Sequence, residues 1–150
     1  MLSIEAIPFF FAWFTDPPEG YSKERDGNFY KAYNQSKTWK EAQEICHADG
    51  SSLAVPWDSV TNEIIRGLIP GQRTIIGLTD MAEEGTWLTV HEAPLRFKHW
   101  NENEPNDGND NQNEDCGFMN KETGRWNDDI CNAEDTFVCQ FETGTVKLAN

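Results

Sequence analysis

Apolar spacing divides the chain into a strand, two helices and a series of short strands. Phe29, Tyr30, Ala32 and Tyr33 crowd into a stretch that predicts a strand. From Thr38 the period changes: Trp39, Ala42, Ile45 and Cys46 share a helical face, Thr38 and Glu41 form a capping box, and Gly50 stops the helix. A second helix starts at the N-cap Asp58, carries Val60, Ile64, Ile65 and Leu68 on one stripe, and breaks at Pro70-Gly71. Beyond it the helical period disappears. Ile75 to Leu78 reads as a buried strand, followed by Thr79-Asp80, a turn around Glu83-Glu84-Gly85, and Trp87-Leu88. Further strands are expected at Cys116 to Met119, at Trp126 and at Thr136 to Phe141. This order, broken by one long polar excursion, is that of an α+β domain. Trp39, Trp87 and Trp126 are expected in its core; Trp13, Trp57 and Trp100 have no predicted place.

The polar excursion carries the chemistry. Asn101 to Cys116 reads NENEPNDGNDNQNEDC, with carboxylates at Glu102, Glu104, Asp107, Asp110, Glu114 and Asp115, amides between them, and no Lys or Arg. Carboxylates at this density repel one another, so the segment is either disordered or ordered by a cation. It runs between Phe97 and Trp100 on one side and Cys116-Gly117-Phe118 on the other, which favours order. Oxygen ligands without clustered His or Cys point to a hard ion, and Ca²⁺ suits an irregular loop. An EF-hand is excluded because, counted from Asp107, the sixth position is Gln112 and not Gly. A glycosidase pair of Glu104 with Glu114 or Asp128 would need one carboxyl kept neutral by an apolar pocket, and every neighbour is polar. His47, His91 and His99 are scattered among different elements, so no zinc site and no enzymatic step is expected.

At 150 residues the chain is one domain, and its net charge of -14 argues against a nucleic-acid backbone or an anionic membrane face as partner. Four cysteines, at positions 46, 116, 131 and 139, indicate two disulfides and an oxidising, extracellular setting. Three pairings are open; 46 with 139 and 116 with 131 suits the element order. Asn34-Gln35-Ser36 matches the acceptor pattern for N-glycosylation. Ile4 to Phe14 is apolar but too short to span a bilayer. Its Phe9, Phe10, Phe11, Trp13 and Phe14 are expected to be buried in the chain or between copies of a homo-oligomer. Asp16-Pro17-Pro18-Glu19-Gly20 then marks a boundary. The expected division is an arm over 1–17, a domain over 18–142 and a tail over 143–150.

The ordered set Pro18-Glu19-Gly20-Tyr21, Ile75-Ile76-Gly77-Leu78-Thr79-Asp80, Glu104-Pro105-Asn106, Glu114-Asp115-Cys116 and Trp126-Asn127-Asp128, with the last two cysteines, resembles a C-type lectin-like domain over Pro18 to Phe141. That resemblance implies two helices packed on short antiparallel sheets, a long calcium-binding loop, and the pairing Cys46 with Cys139 and Cys116 with Cys131. It also implies a cis Glu104-Pro105 bond and Ca²⁺ ligands at Glu104, Asn106, Glu114, Asn127 and Asp128, of which Glu104, Asn106, Glu114 and Asn127 also contact sugar. In the family, the Glu-Pro-Asn order goes with mannose, N-acetylglucosamine, fucose or glucose type glycans, held through equatorial vicinal hydroxyls. Asp80, Glu84, Asp107 and Asp115 match an auxiliary calcium site; otherwise Asp80 and Glu84 only decorate a polar turn. The rival roles are a calcium-ordered domain of the same fold that binds protein or ice, and a building block of an extracellular assembly. Two departures stand out. The stretch from Asn106 to Glu114 is longer than the family pattern, and Pro17 and Phe29 stand where longer members carry a further disulfide.

Overall fold

The computed structural model describes residues 16–108 and 113–143. Most of the expected arm and tail lie outside these residues, as do Asp110 and Gln112 of the acidic loop. The elements in order are β1 (Ser22–Lys23), β2 (Phe29–Lys37), α1 (Trp39–Ala48), β3 (Ser52–Leu53), α2 (Ser59–Leu68), β4 (Arg73–Thr79), β5 (Leu88–Thr89), β6 (Cys116–Asn120), β7 (Trp126–Asp129) and β8 (Asp135–Phe141).

Both helices begin where local chemistry dictates. Thr38 accepts the amide of Glu41 through its side chain while Glu41 reaches back to the Thr38 amide, so two of the first turn's orphan donors are satisfied. Asp58 caps α2 by accepting from the Thr61 amide at 2.8 Å. The face of α1 that holds Trp39, Ala42 and Cys46 is buried, and the Trp39 indole donates to the Ile76 carbonyl of β4 at 3.0 Å. On α2 the expected stripe is rotated. Val60 is 46% exposed, and the buried face is Thr61, Asn62, Ile64 and Ile65. The physical reason is a polar anchor: Asn62 turns inward to donate to the Gly124 carbonyl at 3.0 Å and accept from the Trp126 indole at 2.8 Å.

The strands form one sheet in the order β1-β2-β8-β4-β6-β7, with β3 beside β8 and β5 beside β4. It is mixed rather than wholly antiparallel, because β4 runs parallel to β8 through the pair Ile75 and Phe137. One core cluster packs α1 on the sheet around Leu53, Phe118 and Phe137; another packs α2 around Ile65, Ile76 and Trp126. Trp100 finds its place in the second, edge-on to Trp87 at 4.8 Å and to Trp126 at 5.5 Å. Trp57 stacks on the His91 ring at 5.9 Å.

Backbone segments approach closely at Gly77. Its amide donates to the Ala54 carbonyl at 2.8 Å and its carbonyl accepts from the Val90 amide at 2.9 Å. A Cβ there would meet the Leu53 carbonyl at 2.8 Å. Disulfides join Cys46 to Cys139 and Cys116 to Cys131, the pairing the resemblance implies. The first ties α1 to β8 across 93 residues, the second ties the start of β6 to the segment after β7 across 15. By loop entropy they contribute about 4 to 5 and about 3 kcal/mol respectively.

Candidate metal centre

The site is built outward from Trp126, which is fully buried. The Trp126 amide donates to the His99 carbonyl at 2.9 Å and its carbonyl accepts from the Asn101 amide at 2.8 Å, so β7 holds the start of the acidic loop. Three residues on, Glu104 donates its amide to the Asn101 carbonyl at 3.0 Å, and the Glu104-Pro105 bond is cis. The chain then turns back on Asp128, whose carboxylate accepts the Asn106 amide at 3.0 Å and the Asp107 amide at 2.7 Å. Asn106 donates its side-chain amide to Glu104 at 2.8 Å, and the Asp107 carboxylate accepts the Glu114 amide at 3.0 Å. Glu104, Asn106, Asp107, Glu114 and Asp128, drawn from two distant stretches of sequence, thus share one network. Asn127 lies beside Asp128 on β7, and its side-chain carbonyl oxygen is buried with no hydrogen-bond donor.

A second group gathers at the end of β4. Carboxylate oxygens of Asp80, Glu84 and Asp115 all lie within 4.8 Å of one another. Backbone contacts impose this approach: the Asp80 amide donates to the Asp115 carbonyl at 3.1 Å and the Thr79 hydroxyl to the same oxygen at 2.7 Å. The Gly85 amide closes the turn onto Asp80 at 2.9 Å. Asp80 is only 3% exposed, and one oxygen of Asp80 and one of Asp115 are buried without donors. Asp107, the remaining residue of the expected auxiliary set, lies near enough for its charge to raise both Asp80 and Glu84.

The carboxylates of both groups raise one another. Burial, and then the carboxylate of Asp128, push Glu104 up to about 7. Burial and the charges of Asp128 and Asp129 also raise Glu114. Lost hydration, followed by neighbouring carboxylates, lifts Asp80 to about 6 and Glu84 to about 7. Among the described residues, none of these four forms an ion pair with Lys or Arg. The convergent oxygens of Asp80, Glu84 and Asp115 could hold a metal ion, and all-oxygen donors suit a hard one. Asp129 serves the sheet instead, holding Arg73 together with Asp135, at 2.8 and 2.7 Å.

The family model for the lectin C-type domain matches residues 35–141. The chain belongs to the C-type lectin domain family. Collectin-10 of Gallus gallus is 36% identical over 123 residues, which cover 79% of this chain and 43% of that protein. Lectin BRA-3 of Megabalanus rosa is 33% identical over 123 residues, covering 79% of this chain and 74% of the relative. The C-type lectin domain thus spans less than half the length of the collectins it matches. Among solved structures, the cow CD23 carbohydrate-recognition domain, crystallised with a GlcNAc2Man3 oligosaccharide, superposes with a TM-score of 0.77 at 26% identity, covering 87% of this chain and 98% of that one. As a C-type lectin domain the chain is a binding module and not an enzyme. Among the described residues no helix is long and apolar enough to cross a membrane.

Asn62 and Thr79, which hold the two halves of the centre, were not among the expected site residues. The signal for Asn62 is a polar residue between apolar positions of an amphipathic helix. Nothing in the sequence says that its partner lies at Trp126.

Proposed function

We propose that this domain binds mannose-type glycans through a Ca²⁺ ion held by Glu104, Asn106, Glu114, Asn127 and Asp128. The observation that carries the reading is the buried, donorless carbonyl oxygen of Asn127 beside a network of carboxylates. A loop that only needed ordering would bond that oxygen to a backbone amide; a cation ligand must keep it free. Bound there, the ion supplies the charge that offsets the carboxylates and coordination positions for two vicinal equatorial hydroxyls. The chain's own residues set what fits. Glu104 accepts and the Asn106 amide donates, side by side at 2.8 Å, and one sugar hydroxyl uses both capacities. The Glu-Pro-Asn order supports mannose, N-acetylglucosamine, fucose or glucose type ligands. Asp80, Glu84, Asp107 and Asp115 would hold an auxiliary ion that keeps the loop folded on β4.

The two disulfides support a secreted, extracellular protein. Binding at one open site is weak, so several copies, associated through the aromatic arm outside the described residues, would supply avidity. Light scattering with and without residues 1–15 tests that association. The deciding experiment for the site is retention on immobilised mannose in calcium, then in chelator. Retention in calcium and release by chelator is expected; retention unaffected by chelator, or none in calcium, overturns the proposal. A glycan array run the same way separates sugar binding from a calcium-ordered domain that binds protein or ice.

A further inference from the structure

We infer that Asn34 is the acceptor of an N-linked glycan. Asn34-Gln35-Ser36 is the only Asn-x-Ser/Thr tripeptide in the sequence, and the fold presents it in a specific way. It lies on β2 past the residues that pair with β1, which engages only Phe29 and Tyr30. On the opposite side, pairing with β8 runs from Phe29 and Phe141 to Tyr33 and Phe137, then resumes at Lys37 and Asp135. Four steps along β2 therefore face two along β8, and the extra residues bulge out of the ladder. All three residues of the tripeptide are exposed. Among the described residues no side-chain hydrogen bond engages Asn34, so its amide nitrogen faces solvent without competition. Its neighbour Tyr33 is fixed independently, stacked on Phe137 at 4.7 Å, so a bulky group at Asn34 displaces no core contact.

The chemistry is a transfer from a lipid-linked diphosphate oligosaccharide. The Asn34 side-chain nitrogen forms a bond to the anomeric carbon of the first sugar, and the bond from that carbon to the diphosphate oxygen breaks. The nitrogen gives up one proton and the diphosphate leaves with the electron pair, so nothing is oxidised or reduced. Two disulfides indicate that the chain folds in the oxidising lumen where such donors are used. A glycan at this position would also cover an open strand edge, which otherwise offers unpaired amides and carbonyls to another chain. None of this depends on the proposed sugar site, whose residues lie on β7 and the loop beside it.

The test is to secrete the full chain from eukaryotic cells and measure its intact mass before and after peptide N-glycosidase. The expected result is loss of one glycan with Asn34 left as Asp. Asn34→Gln and Ser36→Ala should each abolish the modification, and Ser36→Thr should keep it. An unmodified Asn34 in secreted protein with both disulfides formed overturns the inference, as does a glycan that persists in Ser36→Ala.

Discussion

Replacing Asn62 with alanine should cost far more than its place on a surface helix suggests. Asn62 is 2% exposed and joins two buried groups: the Trp126 indole at 2.8 Å and the Gly124 carbonyl at 3.0 Å. Alanine removes both partners and leaves an N–H and a C=O in the core with nothing to bond. Each such group costs about 1 to 3 kcal/mol, so about 3 to 4 kcal/mol is expected for the pair. For a domain of this size that corresponds to a fall in melting temperature of roughly 10 °C. The assay is urea unfolding in calcium, read by tryptophan fluorescence and far-ultraviolet circular dichroism, with an unchanged m-value as the check on the denatured state. Val60→Ala on the same helix is the control, because Val60 is 46% exposed and should cost less than about 0.5 kcal/mol. Since β7 carries Asn127 and Asp128, the Asn62 variant should also bind calcium more weakly than the control. An Asn62→Ala protein within about 1 kcal/mol of the parent would refute the claim that this amide anchors the site-bearing strand.

Calcium affinity should fall as the solution is acidified. With Glu104 and Glu84 raised to about 7 and Asp80 to about 6, the cation-free fold takes up protons more readily than the unfolded chain and gains stability as pH drops through that window. Cation binding reverses this by requiring the charged carboxylates, so the calcium-induced rise in melting temperature should be large at pH 8 and shrink toward pH 5; an equal rise at both would count against these ligands. Gly77→Ala forces a methyl group within 2.8 Å of the Leu53 carbonyl and 3.1 Å of the Val55 and Val90 side chains. It should destabilise by about 1 to 3 kcal/mol in a thermal melt, and an unchanged midpoint would show that the three segments can move apart.

Elements that announce themselves through local chemistry were legible in the sequence. Thr38 with Glu41 and Asp58 mark the helix starts, and the apolar run at Ile75 to Leu78 marks β4. Two-residue strands such as β1 and β3 were not, because they exist only through their pairing with β2 and β8. The parallel register of β4 on β8 is likewise a property of the assembled sheet. Within the site, the density of acid between Asn101 and Cys116 pointed to a cation, but the particular ligand set came through family resemblance. Polar tethers stayed hidden. Asn62 and Gln140 carry no local sign of burial, yet Gln140 is 1% exposed and accepts the Val55 amide at 3.0 Å. Arg73 also looks like an ordinary surface charge until Asp129 and Asp135 close on it, 56 and 62 residues away. Their roles depend on partners distant in sequence, which no local pattern encodes.

Asp16 and Glu142 line one pocket, and the Thr143 hydroxyl donates to the Gly27 carbonyl at 3.1 Å, so the two extremities of the described polypeptide lie on one side of the fold. A fold closed in this way behaves as a pendant: it can be hung from a stalk or grafted into a host loop through a single stem, without rethreading its interior. Fusing a multimerising stem at either extremity should multiply the number of sites presented while leaving each one intact.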